Sequence, residues 1–131
     1  MSSKKFSLTD RIKSFRYAFN GLRVLFWEEH NARVHLVITV IVLVLGAVFS
    51  ISPLEWITVV FAIGFVFVTE ILNTAIEDIA DFISPQRDER IKRIKDLGAA
   101  AVVIAAATAV VVGVIIFLPK ILQLIIPENL F

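Results

Sequence analysis

The chain has no cysteine, which excludes disulfides, thiolate metal sites and cysteine nucleophiles. Its two histidines, His30 and His35, are too few and too close together to build a histidine metal site. Neither a GxxxxGK[ST] loop nor a GxGxxG turn occurs, so the soluble ways of cradling nucleotide phosphates are missing. Nothing in the chain points to a nucleic acid partner. Acidic and basic residues are themselves missing from two long stretches, 34–52 and 99–118. The first 33 residues are the reverse, charged throughout and without the short apolar core of a cleavable signal. The first apolar run is therefore expected to act as its own uncleaved insertion signal.

What is present is apolar side chain. The 131 residues, one domain's worth by length, are 58% hydrophobic, with a mean hydropathy of +0.86. Globular chains run at about 45–50% apolar. A soluble chain this short cannot bury so much, so its natural solvent is lipid. Residues 34–52 are long enough to cross about 30 Å of hydrocarbon at about 1.5 Å per residue. After a short turn at Ser52 and Pro53, residues 54–72 make a second run, whose helical pattern continues to residue 83 and stops before Pro85. Residues 99–118 make a third, expected to be closed by Pro119, with 119–131 as a tail. Valine and isoleucine are abundant, but lipid demands that every backbone group be satisfied within its own segment, which selects helices.

The fold expected is an all-α membrane protein with three spans, preceded by a surface helix over residues 7–33. Leu8, Ile12, Phe15, Phe19, Leu22 and Phe26 repeat at helical spacing, Ser7 stands at the N-cap, and Arg11, Lys13, Arg16, Asn20 and Arg23 occupy other faces. Such a helix lies in a membrane surface, although packing on a partner would use the same pattern. Seven of the thirteen Lys and Arg residues precede the first span and five lie in the 84–98 segment. The turn between the first two spans has none. The positive-inside rule then puts the N-terminus and the 84–98 loop in the cytoplasm and the C-terminus outside.

The second span ends in acids. With Glu70 at zero on a helical wheel, Asn73, Glu77 and Asp81 fall within about 60° of it at about 100° per residue. They form a stripe about 16 Å long. Glu70 is about 24 Å into the span, just inside the cytoplasmic edge of the hydrocarbon, where an acid facing lipid costs about 2–3 kcal/mol or more. Helix-end charges answered by the basic loop would explain Asp78, Asp88 and Glu89, but they leave the depth of Glu70 and the alignment unexplained. Aligned acids repel unless cations stand between them. Carboxylates with nearby Lys and Arg are what a magnesium–phosphate site uses, since magnesium takes one or two carboxylates and leaves its other positions to water and phosphate. Glu28 and Glu29 sit immediately before the first span, followed by Asn31, Arg33 and His35, alternating polar groups at the membrane boundary that feed the same cytoplasmic cleft. Lys95 and Asp96 precede the third, with Leu97–Gly98 as a flexible turn.

These residues carry a resemblance. EILNTAIEDIAD at 70–81, KDLGAAAV at 95–102, and SFRYAFNGL followed by E-x-N-x-R-x-H at 29–35 are similar to the prokaryotic diacylglycerol kinase and undecaprenol kinase family. The similarity covers roughly residues 10–118. It implies an ATP-dependent, magnesium-requiring lipid kinase of the cell inner membrane, working as a homotrimer with shared active sites. It also implies Glu70 as general base with Asn73 beside it, and Glu29 and Glu77 as metal carboxylates. Tyr17, Gln86, Arg87, Asp88, Lys95 and Asp96 would meet the nucleotide. Asn31, Arg33, His35 and Asp81 would support the site or the lipid. The E-x-N-x-R-x-H and SFRYA stretches resemble the undecaprenol kinase branch more than the diacylglycerol branch. Two other classes fit parts of the chain. An ion-coupled transporter would place acids near mid-span, where spans one and three have none. A purely structural subunit leaves the aligned acids unexplained.

Overall fold

The computed structural model describes residues 7–126. They form α1 (Leu8–Glu28), α2 (His30–Val48), α3 (Pro53–Ile83) and α4 (Glu89–Ile125). Each start is written in its cap. Ser7 Oγ accepts from Asp10 N at 3.4 Å to open α1. Ser52 and Glu55 make a reciprocal capping box, with Pro53 at the first helical position, to open α3. Asp88 opens α4, accepting from Arg90 N at 2.8 Å, and the Arg90 side chain on the same carboxylate holds its pKa below the usual range. Three of the helices, α2, α3 and α4, are long and apolar enough to cross a membrane.

α3 packs chiefly along α4, while α1 and α2 touch α3 at fewer points and α2 scarcely meets α4. At one end of this unit, Ile51, Val59, Ile116 and Phe117 form a small buried core, flanked by Trp56 and Phe49. There the chain leaves α2 through a tight reversal. Ile51 N donates to Gly46 O at 3.1 Å and Ser50 N to Ala47 O at 3.2 Å, a Schellman closure that puts Ser50 at φ 49°. Gly46 is required beside it, because a Cβ there would stand 2.6 Å from the Trp56 ring. A left-handed backbone costs a side chain about 1–2 kcal/mol, part of which glycine returns as unfolded-chain entropy. Ser50→Gly is therefore expected to stabilise the protein by about 0.5–1 kcal/mol, read as a higher melting midpoint in detergent; a lower midpoint contradicts it. Away from this core the helices present apolar side chains outward: Phe61 is 76% exposed and Val103 66%. That is the surface of a multi-pass membrane protein, covered by something other than its own chain.

Three expectations are corrected. The helix expected over residues 7–33 does not run through residue 33: α1 ends at Glu28, and Glu29 is extended (φ −91°, ψ 113°) before α2 begins at His30. The 84–98 loop is short, since α4 starts at Glu89 once Asp88 caps it, and Gly98 is a buried helical residue rather than a turn. Pro119 does not close the third span but lies inside α4. Its missing N–H costs one helical bond, while Lys120 paired to Glu55 at 3.0 Å and Ile121 against the core keep the next turn attached to α3. Lys4 and Lys5, and the tail beyond Ile126, lie outside the described residues.

Candidate active site

The acid stripe lies on one α3 face, buried at Glu70, half-buried at Glu77 and exposed at Asp81. Glu70 is 2% exposed and Thr74 8%, the two buried polar residues among those described. The helix repeat aligns the acids, but their surroundings divide them into three pairs. Glu70 meets His35 of α2, whose Nε2 is 3.1 Å from Glu70 Oε1. One turn on, Asn73 Nδ2 donates to Glu77 Oε1 at 3.0 Å. At the outer end, Lys95 Nζ of α4 donates to Asp81 Oδ1 at 2.5 Å, and this contact keeps the lysine pKa above its ordinary value. Lys95 also feels the Glu77 carboxylate, so a single cation serves both outer acids.

The interhelical contact beneath the stripe is set by small residues. Gly98 faces Asn73, and a Cβ there would collide with Asn73 Oδ1. Three polar atoms on successive positions of this face, Glu70 Oε1, Asn73 Oδ1 and Thr74 Oγ1, are buried without a directed hydrogen-bond partner. Buried groups of that kind are rare in finished structures and mark places where a ligand, an ion or another chain completes the bonding. Thr74 was not among the sequence candidates. Its place on the wheel, about 40° from Glu70 at about 100° per residue, was the available signal.

Glu29 arrives from the break between α1 and α2. Its carboxylate makes no capping bond to α2, and its charge acts on Glu70 together with that of Glu77. The site therefore holds three mutually repelling acids, with His35 against the most buried one. Among the described residues no three acids or histidines converge tightly enough to cage a metal unaided. Other candidates stand apart in the single chain. Arg33 Nη2 turns back to Trp27 O at 3.4 Å, bracing the helix break. Asn31, Tyr17, Gln86, Arg87 and Asp96 are exposed, and Asp88 is committed to capping α4. Lys92 pairs with Asp96 at 3.6 Å.

Beside the Glu70 pair, α2, α3 and α4 separate around an apolar groove of about 500 Å³. Its walls are aliphatic, from Ile38, Val66, Ala109 and Leu118 among others; His35 and Thr39 are the polar residues that line it.

A helical unit of three membrane-length segments, with acids, a histidine and a lysine gathered beside an apolar groove, has a layout that suits an integral-membrane enzyme. The comparisons specify the class. Residues 16–117 match the family described as prokaryotic diacylglycerol kinase. The chain is 37% identical over 112 residues to the undecaprenol kinase of Bacillus subtilis, covering 82% of this chain and 88% of that one. It is 32% identical over 114 residues to a diacylglycerol kinase of Synechocystis, covering 86% and 65% respectively. It is 31% identical over 111 residues to the diacylglycerol kinase of Escherichia coli K12, covering 85% and 91%. The chain belongs to the prokaryotic diacylglycerol kinase family. It is a membrane-embedded enzyme, a lipid kinase.

Proposed function

We propose that the chain transfers the γ-phosphoryl group of ATP to the hydroxyl of undecaprenol at the cytoplasmic face of the inner membrane. The observation that carries this is Glu70, a buried carboxylate held against His35 where an apolar groove meets a set of acids. A lipid chain lying in the groove brings its hydroxyl to Glu70. Glu70 takes the hydroxyl proton, the lipid oxygen bonds to the γ-phosphorus, and the bond from that phosphorus to the β-bridging oxygen breaks, releasing ADP.

Glu29 and Glu77 are the carboxylates that would hold a magnesium ion borne on the ATP phosphates. The donor set fits: magnesium is commonly bound through one or two carboxylates plus phosphate oxygens, and here the acids are loosely grouped rather than caged. When bound, the ion neutralises phosphate charge. Asn73 fixes the rotamer of Glu77 through its 3.0 Å hydrogen bond. Lys95, cationic at neutral pH as lysine ordinarily is and paired with Asp81, balances charge on the moving phosphoryl group. Tyr17, Gln86, Arg87, Asp88 and Asp96 are the further nucleotide contacts, some supplied across a homotrimer. The exposed apolar face of α1, with Phe15 69% and Phe19 70% exposed, lies on the membrane surface. The Lys and Arg bias puts the acid end in the cytoplasm, where ATP is.

Undecaprenol is favoured over diacylglycerol by the E-x-N-x-R-x-H stretch and by the 37% identity to an undecaprenol kinase, against 32% and 31% to the diacylglycerol kinases. The test is purified protein in mixed micelles with magnesium and labelled ATP, given each lipid in parallel. Label should enter undecaprenol in preference to diacylglycerol. Label in diacylglycerol alone reverses the lipid choice, and label in neither overturns the reading.

A further inference from the structure

The His35–Glu70 contact contains more than a pairing of charges. Glu70 is surrounded by the wrong sign: the other carboxylates acting on it, Glu29 from the helix break and Glu77 from its own helix, are both acidic. Of the groups that act on Glu70, His35 is the one able to donate or to carry positive charge. It comes from a different helix, so its position is fixed independently of the α3 stripe. Its side chain is itself 20% exposed, and it also lines the apolar groove. One ring therefore borders both the space for the lipid chain and the carboxylate beside it.

His35 meets the carboxylate at Oε1. His35 Nε2 approaches Oε1 at 3.1 Å, close enough for an ion pair but off the line of a directed hydrogen bond, and Oε1 retains unfilled bonding capacity. A carboxylate that is untied can rotate about its last bond, and two repelling neighbours give it reason to do so. A donor on Oε1 limits that rotation.

We propose that His35 is a positioning residue for phosphoryl transfer: it holds Oε1 of Glu70 so that the other carboxylate oxygen is presented to the lipid hydroxyl. This rests on the reading of Glu70 as the base of a lipid kinase. His35 takes no proton from the substrate; the proton leaves the hydroxyl for Glu70, and the ring fixes where that acceptor stands. The property required of residue 35 is thus an N–H within reach of Oε1, which an amide can also supply.

The experiment uses the full-length protein in mixed micelles and measures kcat and lipid KM separately. Misplacing a catalytic group by about 1 Å costs on the order of 10²-fold. His35→Leu should therefore lower kcat by about 10²-fold, with lipid KM nearly unchanged. His35→Gln, which keeps an N–H donor, should recover to within about tenfold of wild type. Because His35 acts through Glu70, adding His35→Leu to Glu70→Gln should cost nothing further. The proposal is overturned if His35→Leu retains wild-type kcat, if only KM rises, if the leucine and glutamine variants are equally impaired, or if the two losses multiply in the double variant. The melting midpoint of each variant separates a folding loss, and the glutamine variant keeps the comparison open if leucine does not fold. A wild-type protein that labels neither lipid removes the underlying kinase reading instead, a result distinct from active wild type with unaffected variants.

Discussion

Glu70→Gln should lower kcat for lipid phosphorylation by about 10²–10⁴-fold, the range associated with a positioned general base. The substitution keeps size and shape, and an amide oxygen can stand where Oε1 now faces His35 Nε2 at 3.1 Å. The buried position therefore remains filled and the fold intact. What is lost is an atom able to take the hydroxyl proton at neutral pH. KM for ATP should be nearly unchanged, because the proposed nucleotide contacts lie on other residues: Glu29, Glu77, Tyr17, Lys95, Asp96 and the α3–α4 connection. The measurement is a steady-state assay with each substrate varied in turn, alongside a thermal melt. Wild-type kcat in a folded Glu70→Gln protein would remove the base from the mechanism.

Gly98→Val should be nearly as damaging, although residue 98 has no chemistry of its own. Any Cβ at this position enters the space of Asn73 Oδ1, and a branched one cannot avoid it. Asn73 must then move, and with it the 3.0 Å bond that fixes Glu77. The expected result is a loss of about 10²-fold in kcat/KM for magnesium-ATP, the scale of a displacement of about 1 Å at a reacting centre. Gly98→Ala should be intermediate. Combining Gly98→Val with Asn73→Ala should relieve the collision but not restore activity. Valine at 98 with unaltered magnesium-ATP kinetics would show that the α3–α4 contact does not set the site.

The contrast between these two residues marks how much was legible in the sequence. The stripe was readable because a single helix fixes Glu70, Asn73, Glu77 and Asp81 relative to one another, whatever surrounds it. The three membrane-length helices were readable for the same kind of local reason. The partners were not: whether His35 or another α2 residue faces Glu70 depends on the rotation of α2 about its axis, which distant contacts such as Gly46 on Trp56 help to set. Gly98 looked like a turn because glycine serves both turns and close helix contacts, and only the neighbouring helix tells them apart. The break at Glu29 had no glycine or proline to announce it. The start of α4 was different, since Asp88 ahead of Glu89 and Arg90 is a legible cap that the density of charge obscured.

The groove beside His35 has a consequence for traffic through the enzyme. If it is the lipid site proposed above, its apolar walls and the sparse contact between α2 and α4 would let an alcohol already dissolved in the bilayer arrive sideways, searching a plane rather than a volume. Phosphorylation adds about −1.5 to −2 of charge to one end of that molecule. Beside Glu70 and an aliphatic wall such a charge is strongly disfavoured. On the proposed reading, the surface that admits the alcohol would expel its phosphate toward the headgroups, and the direction of flow would follow from the polarity of the cavity.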